Sequence, residues 1–228
     1  MTNLTSLGRA IRLGVILLEG LTEVMDVGPI DMLNEVSHNF QDLQADSLFS
    51  PELKAQAIDL DIHWVSEAGP SRPSRLTGNM MVTVTDSFET CPPLDVVLIG
   101  ATLEKQPSEG ELAFIRKSFN DSSAFITTCA GILPAVMAGI TEGKTATGPR
   151  FLLEPLRKQS PATKWVERRW VQDGKLWTSG ALLNGQDLMT NFIKSTFPSG
   201  DGTLVDRMAK VGAWPDRDVD YKDVPWKE

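Results

Sequence analysis

The sequence predicts an α/β protein with a flavodoxin-like, doubly wound fold, in which helices sandwich a mainly parallel sheet. Two observations carry this prediction. Short, almost wholly apolar runs, such as 12–18 and 94–99, are typical of parallel strands that are buried on both faces. Segments with apolar residues at helical spacing lie between such runs, and strands that alternate with helices favour a parallel sheet covered on both sides. The 228 residues suffice for one domain with one buried sheet.

The first half of the chain is predicted to contain four strands and one clear helix. Apolar or alternating runs predict the strands at 12–18, 62–66, 80–84 and 94–99, the third being suited to a sheet edge or a hairpin. Gly28-Pro29 precedes the amphipathic segment 30–36, and Pro is tolerated in the first turn of a helix because its missing N–H has no partner there. The polar stretch 40–59 is interpreted as a surface connection, with some helical character in 51–57.

The second half continues the alternation of strands and helices. The helical spacing of Leu112, Ile115 and Phe119 predicts a helix over 108–119, and a fifth strand follows at 124–128. Further strands are predicted at 145–147, 166–171 and 176–179, and further helices at 132–138, 150–157 and 182–197. We interpret 1–228 as a single domain with a frayed leader at 1–10. The tail at 198–228 shows no clear periodicity and is expected to wrap the surface or a partner subunit.

Composition excludes several classes of function. The formal net charge of −8 repels a phosphate backbone, so nucleic acid is not an expected partner. Near the start of the chain, the longest apolar stretch is far shorter than the roughly 20 residues of a membrane span and lacks a signal-peptide cleavage site. We therefore expect a cytoplasmic protein with no membrane association. The two cysteines form no CxxC pair, and neither a metal nor a cofactor is predicted.

One thiol stands out as a candidate nucleophile. Cys129 lies where the strand at 124–128 meets the helix at 132–138, and its small neighbours Ala130 and Gly131 suit a sharp turn. At such a turn the side chain points out of the sheet edge, where the free N–H groups of the emerging helix stabilise a thiolate and a developing oxyanion. Cys91, which precedes two prolines in a loop, is interpreted as incidental.

Other candidate site residues follow from the position of the strand ends. In open α/β sheets ligands bind beyond the carboxyl ends of the strands, so Glu19-Gly20 and Gly100-Ala101 are expected to share the crevice of Cys129. Gly100 and Ala130 are predicted backbone donors to an oxyanion, with Ala101 and Gly131 beside them in the substrate site. Arg150 is a possible substrate-facing side chain, although a solvated helix start is the better explanation of its position.

The chain resembles the ThiJ/PfpI superfamily within the class I glutamine amidotransferase-like fold, over residues 12–197. Four motifs, taken in order, carry the resemblance: GVILLEGLTEVMDVGPIDML, VVLIG, TTCAGILPAVMAGITEGKTAT and DGKLWTSGALLNGQDLM. The first motif is most similar to the isocyanide hydratase branch, in which an acidic residue precedes a Gly-Pro pair. Asp26 before Gly28-Pro29 matches that pattern, ahead of Glu19 and Glu23.

The resemblance implies a homodimer with a cofactor-independent, cysteine-dependent hydratase or lyase activity on a small electrophile. Cys129 would attack the carbon of an isocyanide, Asp26 would act as general acid and base, and water would release an N-formamide. Many superfamily members place His directly after the cysteine or near the position of Gly148-Pro149. This chain has neither, which argues against a Cys/His pair for acyl transfer.

Three alternatives remain open at this point. The first is a glyoxalase-type or deglycase-type enzyme that acts on reactive aldehydes. The second is a lyase or cyclase on a specialised metabolite, which the replacement of the branch's usual Thr by Ala130 makes worth considering. The third is a redox sensor in which Cys129 is oxidised to a sulfinic acid held by Asp26.

Overall fold

The computed structural model of the protein describes residues 4–224. Their strands are β1 Ile11–Ile16, β2 Leu21–Thr22, β3 Leu60–Val65, β4 Ser74–Leu76, β5 Met80–Val82, β6 Val96–Ile99, β7 Thr102–Leu103, β8 Ala124–Thr127, β9 Thr145–Ala146, β10 Lys164–Trp165, β11 Trp170–Asp173 and β12 Leu176–Ser179. Their α-helices are α1 Val24–Val27, α2 Ile30–Asn34, α3 His38–Gln41, α4 Pro51–Lys54, α5 Glu109–Asp121, α6 Ile132–Met137, α7 Leu153–Gln159, α8 Asn184–Thr196 and α9 Leu204–Val211.

The central sheet has six strands in the order β11-β12-β8-β6-β1-β3. All neighbours are parallel except β11 and β12, which form an antiparallel pair at one edge. The chain crosses from β1 outward to β3 and then back across β1 to β6, so the direction of winding reverses between β1 and β6. The predicted doubly wound α/β fold is confirmed, and the rule for such sheets places the ligand crevice at this reversal.

Both faces of the sheet are covered, as the apolar strand runs predict. In β6, Val96 and Leu98 pack into a core shared with α2 and α8. Val97 and Ile99 point to the opposite core, which contains α5 and α6. Alternate residues of one strand are therefore buried on opposite faces, which explains why the strand is apolar at every position. Ser108 caps α5 and pairs with Glu111 in a capping box, so this helix begins at a defined residue.

The strand predicted at 80–84 and that at 145–147 belong to small separate sheets. β5 forms an antiparallel hairpin with β4 at the edge of a four-stranded sheet of order β5-β4-β2-β7, and β9 pairs only with β10. Met80 and Met81 are 51% and 58% exposed, because this hairpin covers no helix. The alternation in the sequence therefore identified the hairpin but did not indicate its sheet.

Three predicted segments need correction. The strand at 166–171 is wrong over 166–169, where the N–H of Arg169 bonds the carbonyl of Val219 in the tail instead of a neighbouring strand. The leader is tied down over its described part, since Leu4 is buried and the Arg9 guanidinium bonds both carboxylate oxygens of Asp95 at 2.6 and 2.9 Å. The tail contains an unpredicted helix, α9, whose first turn is capped by Thr203.

Residues 1–3 of the predicted leader and 225–228 of the predicted tail lie outside the described residues. The helices between these limits are all too short or too polar to span a lipid bilayer.

Candidate active site

Cys129 lies at the predicted strand-to-helix turn. β8 ends at Thr127, a short 3-10 turn covers Cys129–Gly131, and α6 begins at the next residue. Cys129 has a φ of 52°, the left-handed conformation that a non-glycine residue adopts only where its surroundings enforce it. A Cβ atom on Gly131 would lie 2.4 Å from the carbonyl oxygen of Ile99. The tight turn therefore requires glycine at 131 and forces the cysteine into a strained backbone conformation.

Asp26 is held against this turn by two hydrogen bonds. Asp26 lies in α1 and is fully buried. Its Oδ2 accepts a 2.8 Å hydrogen bond from the N–H of Ala101. The Thr128 hydroxyl donates to the carbonyl of Asp26 at 2.7 Å, which joins α1 directly to the residue before the cysteine. A Cβ atom on Gly100 would lie 2.8 Å from the Asp26 Cβ. Gly100 thus provides the space that lets the carboxyl approach.

A second carboxylate, Glu23, joins the pair. Glu23, Asp26 and Cys129 each place one oxygen or sulfur atom within 4.8 Å of the others. Two carboxylates and a thiol at this spacing could exchange protons with one another, and they also offer three ligand atoms to a divalent cation. Sequence reasoning ranked Glu23 below Asp26, although their spacing of three residues places both on one side of a helical turn.

The electrostatics of the site centre on the Asp26 carboxyl. Burial raises the pKa of Asp26 from its ordinary 3.8 to about 7, and the charge of Glu23 adds to this. The N–H of Ala101 and the nearby Cys129 thiol lower the pKa of Asp26 and so act in the opposite direction. A carboxyl that titrates near neutral pH can both accept and donate a proton, which is what a general acid and base requires.

The thiol is less acidic and less accessible than the sequence predicts. Burial, and then the negative charge of Asp26, raise the pKa of Cys129 to about 11, and the residue is 8% exposed. The expectation of an open thiolate stabilised by the helix start is therefore wrong for the resting site. Desolvation and the neighbouring carboxylate outweigh the backbone donors, so at neutral pH the pair keeps a proton.

Two backbone N–H groups contact the sulfur. They belong to Ala130, which was predicted, and to Leu182, which was not. The predicted substrate-site residues Ala101 and Gly131 use their N–H groups elsewhere, on Asp26 and on the carbonyl of Thr128. Leu182 escaped prediction because it lies more than fifty residues beyond Cys129, and only the position of α8 brings the two together.

Glu19 does not join the cysteine. Its side chain is 44% exposed and pairs with Lys105 at 2.8 Å and with Arg72 at 3.3 Å. These three residues line an open cleft of about 640 Å³ at the ends of β1 and β3. Cys129 and Asp26 are not among the lining residues of that cleft. The strand-end rule identified the correct edge of the sheet, but that edge is wide enough to hold two separate features.

Arg150 and Cys91 also lie outside the Cys129 pair. Arg150 pairs with Glu167 at 2.9 Å, and its guanidinium lies 5.3 Å from the centre of the Tyr221 ring. The half-buried Cys91 donates its thiol to the Pro92 carbonyl, and burial raises its pKa to about 11. The charge of Asp86 also raises this pKa, but the Cys91 thiol bonds a backbone carbonyl and lies apart from Asp26 and Cys129.

Comparison with known protein sequences gives two matches. Residues 14–195 match the DJ-1/PfpI family. An isonitrile hydratase from Pseudomonas putida is 29% identical over 152 residues, which are 65% of this chain and 65% of that protein. The match thus covers slightly less than two thirds of the relative's length. This relative is an enzyme by its name.

Solved structures share the fold. A ThiJ/PfpI family protein from Pseudomonas syringae superposes with a TM-score of 0.68 at 17% sequence identity. The superposition covers 95% of this chain and 81% of the Pseudomonas syringae chain. DJ-1beta from Drosophila melanogaster superposes with a TM-score of 0.66 at 16% identity, covering 90% and 99% respectively. At these identities the likeness concerns the fold alone.

Proposed function

The chain belongs to the DJ-1/PfpI family, and on that premise we propose that it is a cofactor-independent hydratase that converts an isocyanide into an N-formamide. One observation carries the proposal: the buried Asp26 carboxyl, with its pKa raised to about 7, lies within 4.8 Å of the Cys129 sulfur. The 29% identity to an isonitrile hydratase supports the choice of substrate class.

The first half of the reaction forms a covalent adduct. Asp26 takes the proton of the Cys129 thiol, and the sulfur forms a bond to the terminal carbon of the isocyanide. The same carboxyl then delivers the proton to that carbon, which gives a thioimidate with a C=N bond. The first transfer is uphill, because the thiol pKa of about 11 exceeds the carboxyl pKa of about 7, but protonating Asp26 also removes the negative charge that opposes ionisation of the thiol.

The second half consumes one water molecule. Water adds to the thioimidate carbon while Asp26 accepts its proton and passes it to the nitrogen. The hydroxyl of the tetrahedral intermediate then gives its proton to Asp26, the carbon–sulfur bond breaks, and the N-formamide leaves with the thiolate as leaving group. Asp26 returns this proton to the thiolate, which restores the resting thiol. The N–H groups of Ala130 and Leu182, which contact the sulfur, stabilise its negative charge at this stage.

The redox-sensor alternative receives less support from the same geometry. Sensor thiols combine a low pKa with exposure to solvent. Cys129 is 8% exposed, and its pKa is raised to about 11. A thiol that ionises only when a neighbouring base takes its proton suits a catalytic cycle better than direct reaction with peroxide.

A substrate panel with matched variants tests the proposal. We expect the purified protein to hydrate an aryl or alkyl isocyanide, with the N-formamide detected by NMR, and Cys129→Ala to abolish this turnover. Cys91→Ala is the matched control and should retain full activity, because Cys91 lies in a separate loop. Turnover of methylglyoxal instead of isocyanides, or activity retained in Cys129→Ala, would contradict the proposal.

A further inference from the structure

The segment 214–224 folds back over the start of α8. Arg217 donates from its backbone N–H and from its guanidinium to the buried carboxylate of Asp187, at 2.5 to 3.2 Å. The same guanidinium donates to the carbonyl of Leu183 at 2.9 Å. The segment is therefore fixed to the loop that precedes α8, which is the loop that carries Leu182.

The single tyrosine of the chain lies in this segment and makes a second connection to the same loop. Tyr221 has a φ of 58°, and its hydroxyl donates to Oδ1 of Asn184, the first residue of α8, at 2.8 Å. The centre of its ring lies 4.8 Å from the guanidinium of Arg169 and 5.3 Å from that of Arg150. A strained backbone and two cation–π contacts indicate that the phenol is held in one place.

The start of α8, which follows this loop, packs against the nucleophile turn. A Cβ atom on Gly185 would lie 3.0 Å from Cγ2 of Thr128, the residue before Cys129, and 3.2 Å from Pro29. At the other end of the loop, a Cβ atom on Gly180 would lie 2.5 Å from the Tyr221 hydroxyl. The segment 180–185 therefore approaches the phenol at Gly180 and the turn that carries the cysteine at Gly185.

We propose that Tyr221 is a positioning residue of the cysteine site: through Asn184 it fixes the loop 180–184, and this loop holds the N–H of Leu182 at the Cys129 sulfur. The inference rests on the proposed function only where it predicts an effect on kcat for hydration. The predicted effect on the reactivity of the Cys129 thiol holds for any chemistry at this residue.

The test measures the thiol without a substrate. Cys129 alkylation by iodoacetamide is followed by peptide mass spectrometry at pH 8.5 in wild type, Tyr221→Phe and Asn184→Ala. Because a hydrogen bond to the thiolate lowers the thiol pKa, its loss should slow alkylation about threefold in either variant. The double variant should be no slower than the single ones, since both changes interrupt the same connection.

Amide hydrogen exchange tests whether Tyr221 acts on the thiol through the loop 180–184. Exchange in peptides covering 180–185 should become about tenfold faster in Tyr221→Phe, while peptides from the central strands stay at wild-type rates. Lys222→Ala is the matched control, because this side chain is 75% exposed and its ion pair with Asp220 is 3.9 Å long. It should change neither measurement.

The outcomes separate this inference from the proposed function. Alkylation of Tyr221→Phe at the wild-type rate, or faster, would overturn the positioning role, because the segment would then be only structural or only a shield. Failure to hydrate isocyanides would overturn the proposed function and leave the alkylation result unaffected. If both hold, Tyr221→Phe should lower kcat for hydration about threefold and leave KM unchanged.

Discussion

At the residue scale, the site depends on one carboxyl whose burial places its pKa near neutrality. Asp26 is fully buried in a helix of four residues, and only the missing side chain of Gly100 leaves room for it. The sequence identified Asp26 through its place before Gly28-Pro29. It did not reveal the burial, because burial depends on how α1 lies across the ends of β6 and β8.

The raised pKa of Asp26 predicts how stability depends on pH. The folded protein binds this proton more tightly than the unfolded chain, so the stabilising contribution is complete below about pH 4 and is lost as pH rises through 7. A change from 3.8 to about 7 corresponds to roughly 4 kcal/mol. Between pH 4 and 8, wild type should therefore lose about this much free energy of unfolding relative to Asp26→Asn.

Urea denaturation of both proteins at several pH values measures the difference. The Asp26→Asn protein is the reference, because it lacks the titrating group and keeps an oxygen that can accept from Ala101. A difference between the two proteins that stays constant from pH 4 to 8 would show that the carboxyl titrates normally.

At the element scale, the joint between β8 and α6 carries the nucleophile. Gly131 lies against the backbone of β6, where a Cβ atom would approach the Ile99 carbonyl oxygen to 2.4 Å. Backbone atoms of a central strand cannot move aside at small cost, so Gly131→Ala should destabilise the protein by about 1–3 kcal/mol. It should also displace the cysteine and lower its reactivity.

Chemical denaturation checks this prediction against Gly28→Ala. Gly28 has a helical φ of −53°, and its nearest new contact would be 3.3 Å away, so that variant should stay close to wild type. Equal stability of Gly131→Ala and Gly28→Ala would show that the turn is not constrained in the way described.

The sequence predicted the elements that are long and periodic enough to show a pattern, and it missed the shortest strands and one helix of the tail. β1, β6 and β8 appear as apolar runs because both of their faces are covered. β2 and β7 have two residues each, too few for any periodicity, yet they directly adjoin Glu23 and Ala101, whose backbones are joined by a hydrogen bond beside Asp26. α9 buries Leu204, Val205 and Met208 at helical spacing behind a Thr cap, so its signal was present and overlooked.

At the scale of the whole molecule, the resemblance implies a homodimer, and the surface is compatible with one. The small sheet exposes the apolar side chains of Met80, Met81 and Leu103 by 45% to 58%. Exposed apolar side chains of this kind are candidates for contacts between subunits. We expect a solution mass of about 50 kDa by multi-angle light scattering, twice the 25.0 kDa of the chain. A constant mass of one chain over a hundredfold range of concentration would contradict this expectation.

The tail shows where reasoning from local sequence stops. Tyr221 lies more than ninety residues from Cys129, in a stretch without periodicity, and only the folded chain brings it to the loop of Leu182. The net charge of −8 correctly describes an acidic surface, but it gives no sign that Arg169 is buried beneath the tail. Site residues supplied by distant segments therefore require the structure.

The most direct test of the account measures Cys129 alkylation in Asp26→Asn and in wild type at pH 8, with Cys91 as the internal reference. Because the Asp26 charge raises the thiol pKa, removing it should make Cys129 about tenfold more reactive while isocyanide hydration is lost. The opposite directions of the two effects identify Asp26 as the group that controls the proton of the thiol. An unchanged alkylation rate at Cys129 would contradict that claim.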